Sequence, residues 1–218
     1  MPTGTGPAET LTVHGVAIPR LGLGTWELTG DDGRAAVTDA IELGYRHIDT
    51  ARAYRNEVEV GAGIADSAIP REQLYVTTKV PQDELDAESL RRQFEGSLED
   101  LALDRVDLLL IHWPNPGVPI AETLEAMAAL RDEGLVSGLG LSNFPTAELD
   151  EALAATGAPL LCDQVEYHPF LGQGTLLAAL RERGMALTAY SPLAQGDVLE
   201  DATLREIGET HGKSPAQV

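Results

Sequence analysis

Leu21-Gly-Leu-Gly-Thr-Trp-Glu27 decides between two architectures for this chain. It opens a series of seven apolar, strand-like segments, each followed by a helical pattern, which implies a parallel sheet with right-handed crossovers. An open, doubly wound sheet that binds a dinucleotide would carry Gly-x-Gly-x-x-Gly at the end of its first strand, where the glycines let the backbone approach a pyrophosphate. Gly22 and Gly24 occupy the first two positions, but Glu27 stands at the third. Gly61-x-Gly63 and Gly138-x-Gly140 fail in the same way, at Asp66 and Asn143. The pattern therefore favours a (β/α)8 TIM barrel.

Outward from Leu21–Leu23, the strand candidates are His47–Asp49, Tyr75–Lys79, Val106–Ile111, Gly138–Leu141, Leu161–Glu166 and Ala186–Tyr190. Between them apolar residues recur at i, i+3, i+4 and i+7, the period of an amphipathic helix. Leu90, Phe94, Leu98 and Leu101 make the clearest stripe, over residues 87–101. Gly44, Gly134 and Gly184 fall just past helical segments, as C-terminal caps do. Ahead of the first strand, Leu11–Val13 and Val16–Ile18 flank His14-Gly15 and predict a short hairpin. Seven strands leave the barrel one short, so the first and seventh are expected to have exposed edges. Ser214-Pro-Ala-Gln217 signals another helix one residue before the last. The expectation is one domain over 1–218, a truncated barrel lacking its last strand and helices.

Composition excludes several classes. Hydrophobic residues make up 43% of 218, without a low-complexity tract, which is globular usage. No run of 18 apolar residues predicts a membrane span, and the first residues have neither the basic nor the apolar region of a secretory signal. Cys162 is the single cysteine, so no internal disulfide forms and a reducing compartment fits. Cytoplasm is the expected location and a monomer the expected state. With 35 acidic against 15 basic residues, the net charge of −20 argues against nucleic acid, whose phosphates need a basic footprint. Lys79 and Lys213 are the only lysines. Two readings of the acidity stand. One is adaptation to high salt, where a Debye length of ~3 Å at 1 M screens self-repulsion. The other is a GC-rich genome favouring Arg and Ala.

In a barrel the reacting groups sit at the C-terminal strand ends and in the loops after them. Polar and aromatic residues recur there: Thr25 and Trp26, Asp49 and Tyr54, Lys79, His112 and Trp113, Ser142 and Asn143, Gln164, Tyr190 and Ser191. One such residue reads as a helix cap or a satisfied hydrogen bond. All of them together read as one mouth. A lysine beside a carboxylate is, taken alone, a charge pair closing a loop. A phenol as third partner makes it a proton-transfer site, because an ammonium favours phenolate and a carboxylate keeps the ammonium charged and oriented. His112 would orient a carbonyl oxygen or assist the relay. There is no Gly-x-Ser-x-Gly, no Cys–His arrangement and no metal-ligand spacing, so neither a nucleophile nor a metal is expected. Proton delivery without a nucleophile points to carbonyl reduction with hydride from a cofactor. Tyr75-Val-Thr-Thr-Lys79 also spells the Y-x-x-x-K of short-chain dehydrogenases, but that pairing needs a helix and this segment alternates as a strand.

Gly44-Tyr-Arg-His-Ile-Asp-Thr-Ala-x-x-Tyr54-x-Asn-Glu57, Thr78-Lys79, Ile111-His-Trp-Pro114, Gly140-Leu-Ser-Asn-Phe144, Gln164-Val-Glu-Tyr-His-Pro169 and Ala189-Tyr-Ser-Pro-Leu193 resemble, in order and spacing, the aldo-keto reductase family. The likeness runs from about residue 10 to the end and leans towards the microbial branch that includes 2,5-diketo-gluconate reductases. It implies a (β/α)8 barrel with NADPH extended across its mouth. It assigns a catalytic tetrad to Asp49, Tyr54 (general acid), Lys79 and His112. Ser142, Asn143 and Gln164 would hold the nicotinamide carboxamide, Tyr190 would stack on its ring, and Thr25 and Asp49 would border it. Ser191, Leu193 and Gln195 would follow the pyrophosphate. Trp26 and Trp113, with Tyr54 and His112, would wall the substrate pocket. The family's basic grip on the 2′-phosphate has no counterpart here, which leaves NADH open beside NADPH. The expected activity is reduction of small aldehydes or ketones, sugar-derived ones included. The alternatives are a non-catalytic nicotinamide-nucleotide-binding subunit or an inactive fragment.

Overall fold

The computed structural model describes residues 9–218. Thr10–Val13 (β1) and Val16–Pro19 (β2) pair antiparallel, with Val13 opposite Val16. His14 and Gly15 both take positive φ (46° and 84°), the two-residue turn whose twist matches that of a hairpin. Val13 and Ile18 pack against Tyr75, Leu108, Leu161 and Cys162, so the hairpin plugs the end of the barrel where the strands begin.

Seven parallel strands follow: Gly22–Gly24 (β3), His47–Asp49 (β4), Tyr75–Val80 (β5), Val106–Ile111 (β6), Val136–Ser142 (β7), Leu160–Glu166 (β8) and Ala186–Tyr190 (β9). They are hydrogen-bonded in chain order from β3 to β9. A doubly wound sheet reverses its order at a switch point; this one never does, and it curls into a nearly closed barrel. Among the described residues β3 and β9 are the edges, both partly exposed. Four of the seven strands differ in their bounds from expectation: β3 is shifted by one residue, β5 extends to Val80, β7 is longer at both ends and β8 starts at Leu160. The first begins at Gly22, since pairing starts with Gly22 opposite His47 and leaves Leu21 66% exposed. β7 begins at Val136, where the exposed Ser137 had interrupted the apolar run.

β7 and β8 do not run in simple register. Leu139 lies opposite Leu160 but Leu141 opposite Asp163, so β8 carries one extra residue at a bulge. A bulge re-aims the side chains beyond it. Here it sends Cys162 towards the barrel interior, and alternation then turns Gln164 inward as well.

Helices Gly30–Glu42 (α1), Glu57–Asp66 (α2), Ala87–Leu101 (α3), Ile120–Asp132 (α4), Thr146–Ala155 (α5) and Gly174–Glu182 (α6) alternate with the strands. Asp197–Glu200 (α7) and Ala202–His211 (α8) follow β9. α3 covers the stripe read from the sequence. Asp86 caps it by accepting from the Ser89 amide at 3.0 Å. Leu90, Phe94 and Leu101 are buried, each contributing roughly 1.5–3 kcal/mol, and Leu98 is half-buried against the same core. The end of α3 meets α2 at Gly61, where a Cβ would lie 2.3 Å from the Leu101 carbonyl oxygen. Only glycine allows that approach. Ser214 and Gln217 form the predicted capping box, over the single turn Pro215–Gln217. No described helix is long and apolar enough to cross a membrane.

Candidate active site

Alternation along β5 turns Thr78 towards the helices and Lys79 into the barrel. The Lys79 side chain is sealed, and its ammonium donates to the Asp49 carboxylate, to the Thr50 carbonyl oxygen at 2.8 Å and to the Tyr54 hydroxyl oxygen at 3.4 Å. An ammonium has three donors and no acceptor, so all three are engaged. Burial alone would lower the Lys79 pKa; the charge of Asp49 and the contact with Tyr54 outweigh it, and the net shift is upward. The second Asp49 oxygen accepts from Gln164 Nε2 at 2.7 Å, reached across the barrel because of the bulge. The Asp49 backbone carbonyl accepts from Thr25 Oγ1 at 3.1 Å.

Tyr54 ends the 3₁₀ turn Arg52–Tyr54, and Arg55 after it is left-handed (φ 57°). That turn is braced on two sides. The Arg52 guanidinium bonds Asp100 of α3 and Glu57 Oε2 (3.2 Å), and the buried Glu57 accepts from Thr78 Oγ1 at 2.6 Å, behind Lys79. On the other side the buried Asn56 donates to the carbonyls of Thr25 (2.6 Å) and Leu28 (2.8 Å), joining the Tyr54 loop to the end of β3. His112 lies just past β6 with its ring against that of Tyr54, centroids 5.6 Å apart at 76°. Burial, and then the Lys79 charge, push its pKa down to about 4, so it is a neutral imidazole at neutral pH.

The residues expected to hold a cofactor fall into two groups. Ser142, Asn143, Gln164 and Tyr190 form one network. Ser142 Oγ donates to the Gln164 carbonyl (2.8 Å), Asn143 Nδ2 donates to the His112 carbonyl (3.0 Å), and the Tyr190 hydroxyl donates to Asn143 Oδ1 (3.0 Å). Asn143 holds a left-handed backbone, φ 64°. Beside it a groove of about 480 Å³ opens between Trp113, Phe144, Glu166, Gln173 and Tyr190. Ser191, Leu193 and Gln195 instead lie in the loop after β9, and none of their side chains bonds to that network. Ser191, Ala194 and Gln195 all take positive φ (47°, 48° and 53°), at ~1–2 kcal/mol each for a residue with a Cβ. Three such residues within five positions concentrate backbone strain in one turn. A carboxamide offers two donors and one acceptor. No described protein group donates to the Gln164 amide oxygen, the Ser142 and Asn143 oxygens keep free lone pairs, and Tyr190 offers a flat face. The set fits a nicotinamide. Trp26 and Trp113, 55% and 46% exposed, stand at the rim.

Tyr75 shares the inner face of β5 with Lys79 but lies four residues back, roughly 13 Å along the strand. It packs edge-on to His47 at 5.0 Å near the plugged end, which disposes of the Y-x-x-x-K reading. Sequence reasoning overlooked the bond from Gln164 to Asp49 and the Arg52–Glu57–Thr78 brace. Asn56-Glu57, two and three residues after Tyr54, was the available signal for the brace; the bulge left none.

The sequence profile of the Aldo/keto reductase family matches residues 20–218. An aldo-keto reductase of Mycolicibacterium smegmatis is 42% identical over 213 residues, covering 97% of this chain and 77% of that protein. Methylglyoxal reductase DkgB of Escherichia coli O157:H7 is 41% identical over 206 residues, covering 93% of this chain and 77% of its own. A crystal structure assigned as a 2,5-diketo-D-gluconic acid reductase B superposes with a TM-score of 0.93 at 42% identity, over 96% of this chain and 75% of that one.

Proposed function

The chain belongs to the aldo/keto reductase family, oxidoreductases acting on carbonyls, and we propose that it reduces small aldehydes and ketones to alcohols with NADPH as cofactor and Tyr54 as proton donor. One observation carries this reading. Lys79 donates to the phenol oxygen of Tyr54, so that oxygen is an acceptor and its own O–H remains free to point into the mouth. Bound there, the nicotinamide would supply the hydride.

The chain's own residues would do the rest. Ser142, Asn143 and Gln164 would hold the carboxamide, Tyr190 would stack on the ring, Thr25 and Asp49 would border it, and Ser191, Leu193 and Gln195 would follow the pyrophosphate. Neutral His112 donates to the substrate carbonyl oxygen and aligns it with the Tyr54 O–H. As charge grows on that oxygen, Tyr54 gives up its proton, and the ammonium of Lys79 stabilises the phenolate left behind. Asp49 keeps the ammonium aimed. Trp26 and Trp113 shield the transfer from water.

Methylglyoxal and 2,5-diketo-D-gluconate are the first substrates to assay, since similar proteins carry those names. NADPH is the expected cofactor, with NADH as the comparison, in a cytoplasmic monomer. The test is Tyr54→Phe, which should bind the cofactor normally yet turn over ~10²–10⁴-fold more slowly. A variant keeping more than about a tenth of the parent rate would place the acid elsewhere.

A further inference from the structure

Asp163 carries a carboxyl that the mechanism above does not use. It lies on β8 in register with Leu141 of β7 and Leu187 of β9. Those leucines belong to the core between strands and helices, and Asp163 faces the same way, wholly buried. Its hydrogen bonding is poor. The Phe144 amide donates to Oδ1 at 3.4 Å, and Oδ2 has no partner among the described residues.

Among the described residues no cation compensates it. On α5 and α6 the ionisable residues Glu148, Asp150, Glu151, Arg181 and Glu182 are exposed, and Arg183 is engaged by Asp150. β7 and β9 place only leucines beside it. On the barrel side, Cys162 is a buried thiol, and Lys79 is taken up by Asp49. Burial pushes the Asp163 carboxyl up to about 7, with the Phe144 amide pulling weakly the other way.

The position is what gives this consequence. Phe144 directly follows Asn143, the residue linking His112 to Tyr190. The left-handed turn of Asn143 is tied on one side by its own amide, which donates to the Gln164 carbonyl at 2.9 Å. The other tie is the Phe144 amide on Asp163. We propose that Asp163 is a positioning residue for the cofactor seat: its neutral carboxyl lets the turn at 142–145 close dry and present Asn143, whereas its ionisation, although it strengthens the single Phe144 bond, leaves a charged Oδ2 without a donor and draws water in through that turn, which loosens it. The physical reason is that a buried carboxylate without a cation or a second donor has to be hydrated or reprotonated. The inference rests on the nicotinamide reading of Ser142, Asn143 and Gln164.

Two measurements test it. First, aspartate carboxyl carbons are labelled with ¹³C in the full chain and titrated, with Asp163 assigned through its own backbone. A midpoint near 7, with the Asn143 and Phe144 amide shifts moving over the same range, is expected. A midpoint in the usual carboxylate range, about 4, overturns the proposal. Second, the Kd of NADPH is measured by tryptophan fluorescence at pH 6 and pH 8.5 in the parent and in Asp163→Asn, which is isosteric and uncharged. The parent should weaken about tenfold more than the variant between the two pH values. Equal pH dependence in both overturns the positioning role. A parent that binds no nicotinamide nucleotide at either pH removes the cofactor reading instead, and the carboxyl and amide titrations then decide for or against the coupling by themselves.

Discussion

Lys79 and Asp163 are both ionisable groups sealed in the barrel wall, one facing inward at the mouth end of β5 and the other outward on β8. The fold treats them oppositely. Lys79 has a carboxylate, a carbonyl and a phenol for its three protons, and its charge is favoured despite burial. Asp163 has one long bond and an orphan oxygen, and its charge is disfavoured. Burial is shared; the partners differ. Ionisation in this interior is therefore set by how completely hydrogen bonds and countercharge replace water.

The comparison is most severely broken by taking the countercharge from Lys79. Asp49→Asn should abolish turnover, by ~10²–10⁴-fold, and destabilise the fold by about 3–5 kcal/mol, as leaving one partner of a buried pair does. Steady-state assay and urea unfolding check the two effects. If Asp49→Leu with Lys79→Met unfolds at the parental midpoint or above while remaining inactive, the pair serves the reaction rather than the fold.

Asp163→Asn should act in the opposite direction. A carboxyl raised in the folded state contributes stability that is fully present below its unfolded pKa, near 3.8, and is lost as pH rises to about 7. The asparagine variant should match the parent near pH 4 and exceed it at pH 8, with ~4 kcal/mol as an upper bound. His112 slopes the other way. Its depressed pKa makes stability fall as pH drops from 6.5 to about 4. Buried His47 is depressed as well and slopes the same way, so the Asp163 slope is read as the difference in melting temperature between the parent and Asp163→Asn, which should widen from about pH 4 to about pH 8. A difference that stays constant over that range would remove Asp163 as a titrating group.

A smaller effect is expected at the brace behind the tetrad. Arg52→Met leaves the buried Glu57 with Thr78 as its one hydrogen-bond donor, and should cost about 1–3 kcal/mol. Slackening the Tyr54 turn should lower kcat more than it changes KM; an unchanged kcat would show that Asn56 holds the turn alone. The smallest effect concerns the acidic surface. A melting temperature that rises between 0.1 M and 2 M salt supports the high-salt reading of the net charge of −20, and a flat response supports the genomic one.

Much of this was legible in the chain because it is local. Alternation with period two or 3.6, glycines at positive φ after helices, and the Ser214 cap all act within a few residues. They were enough to place the strands, the α3 stripe and the hairpin, and to put Asp49, Lys79 and His112 at strand ends and Tyr54 in the loop after one. What the sequence could not determine depends on register between strands distant in the chain. The extra residue in β8 is invisible in Leu160-Leu161-Cys162, three apolar residues in a row that read alike in any register. Yet that bulge turns Gln164 inward to Asp49 and leaves Asp163 outward with an unpaired oxygen. The sequence by itself determined which chemical groups stand at the mouth. Only tertiary packing decided which of them meet and which buried charge goes without a partner, because side-chain direction beyond a bulge is set by the neighbouring strand.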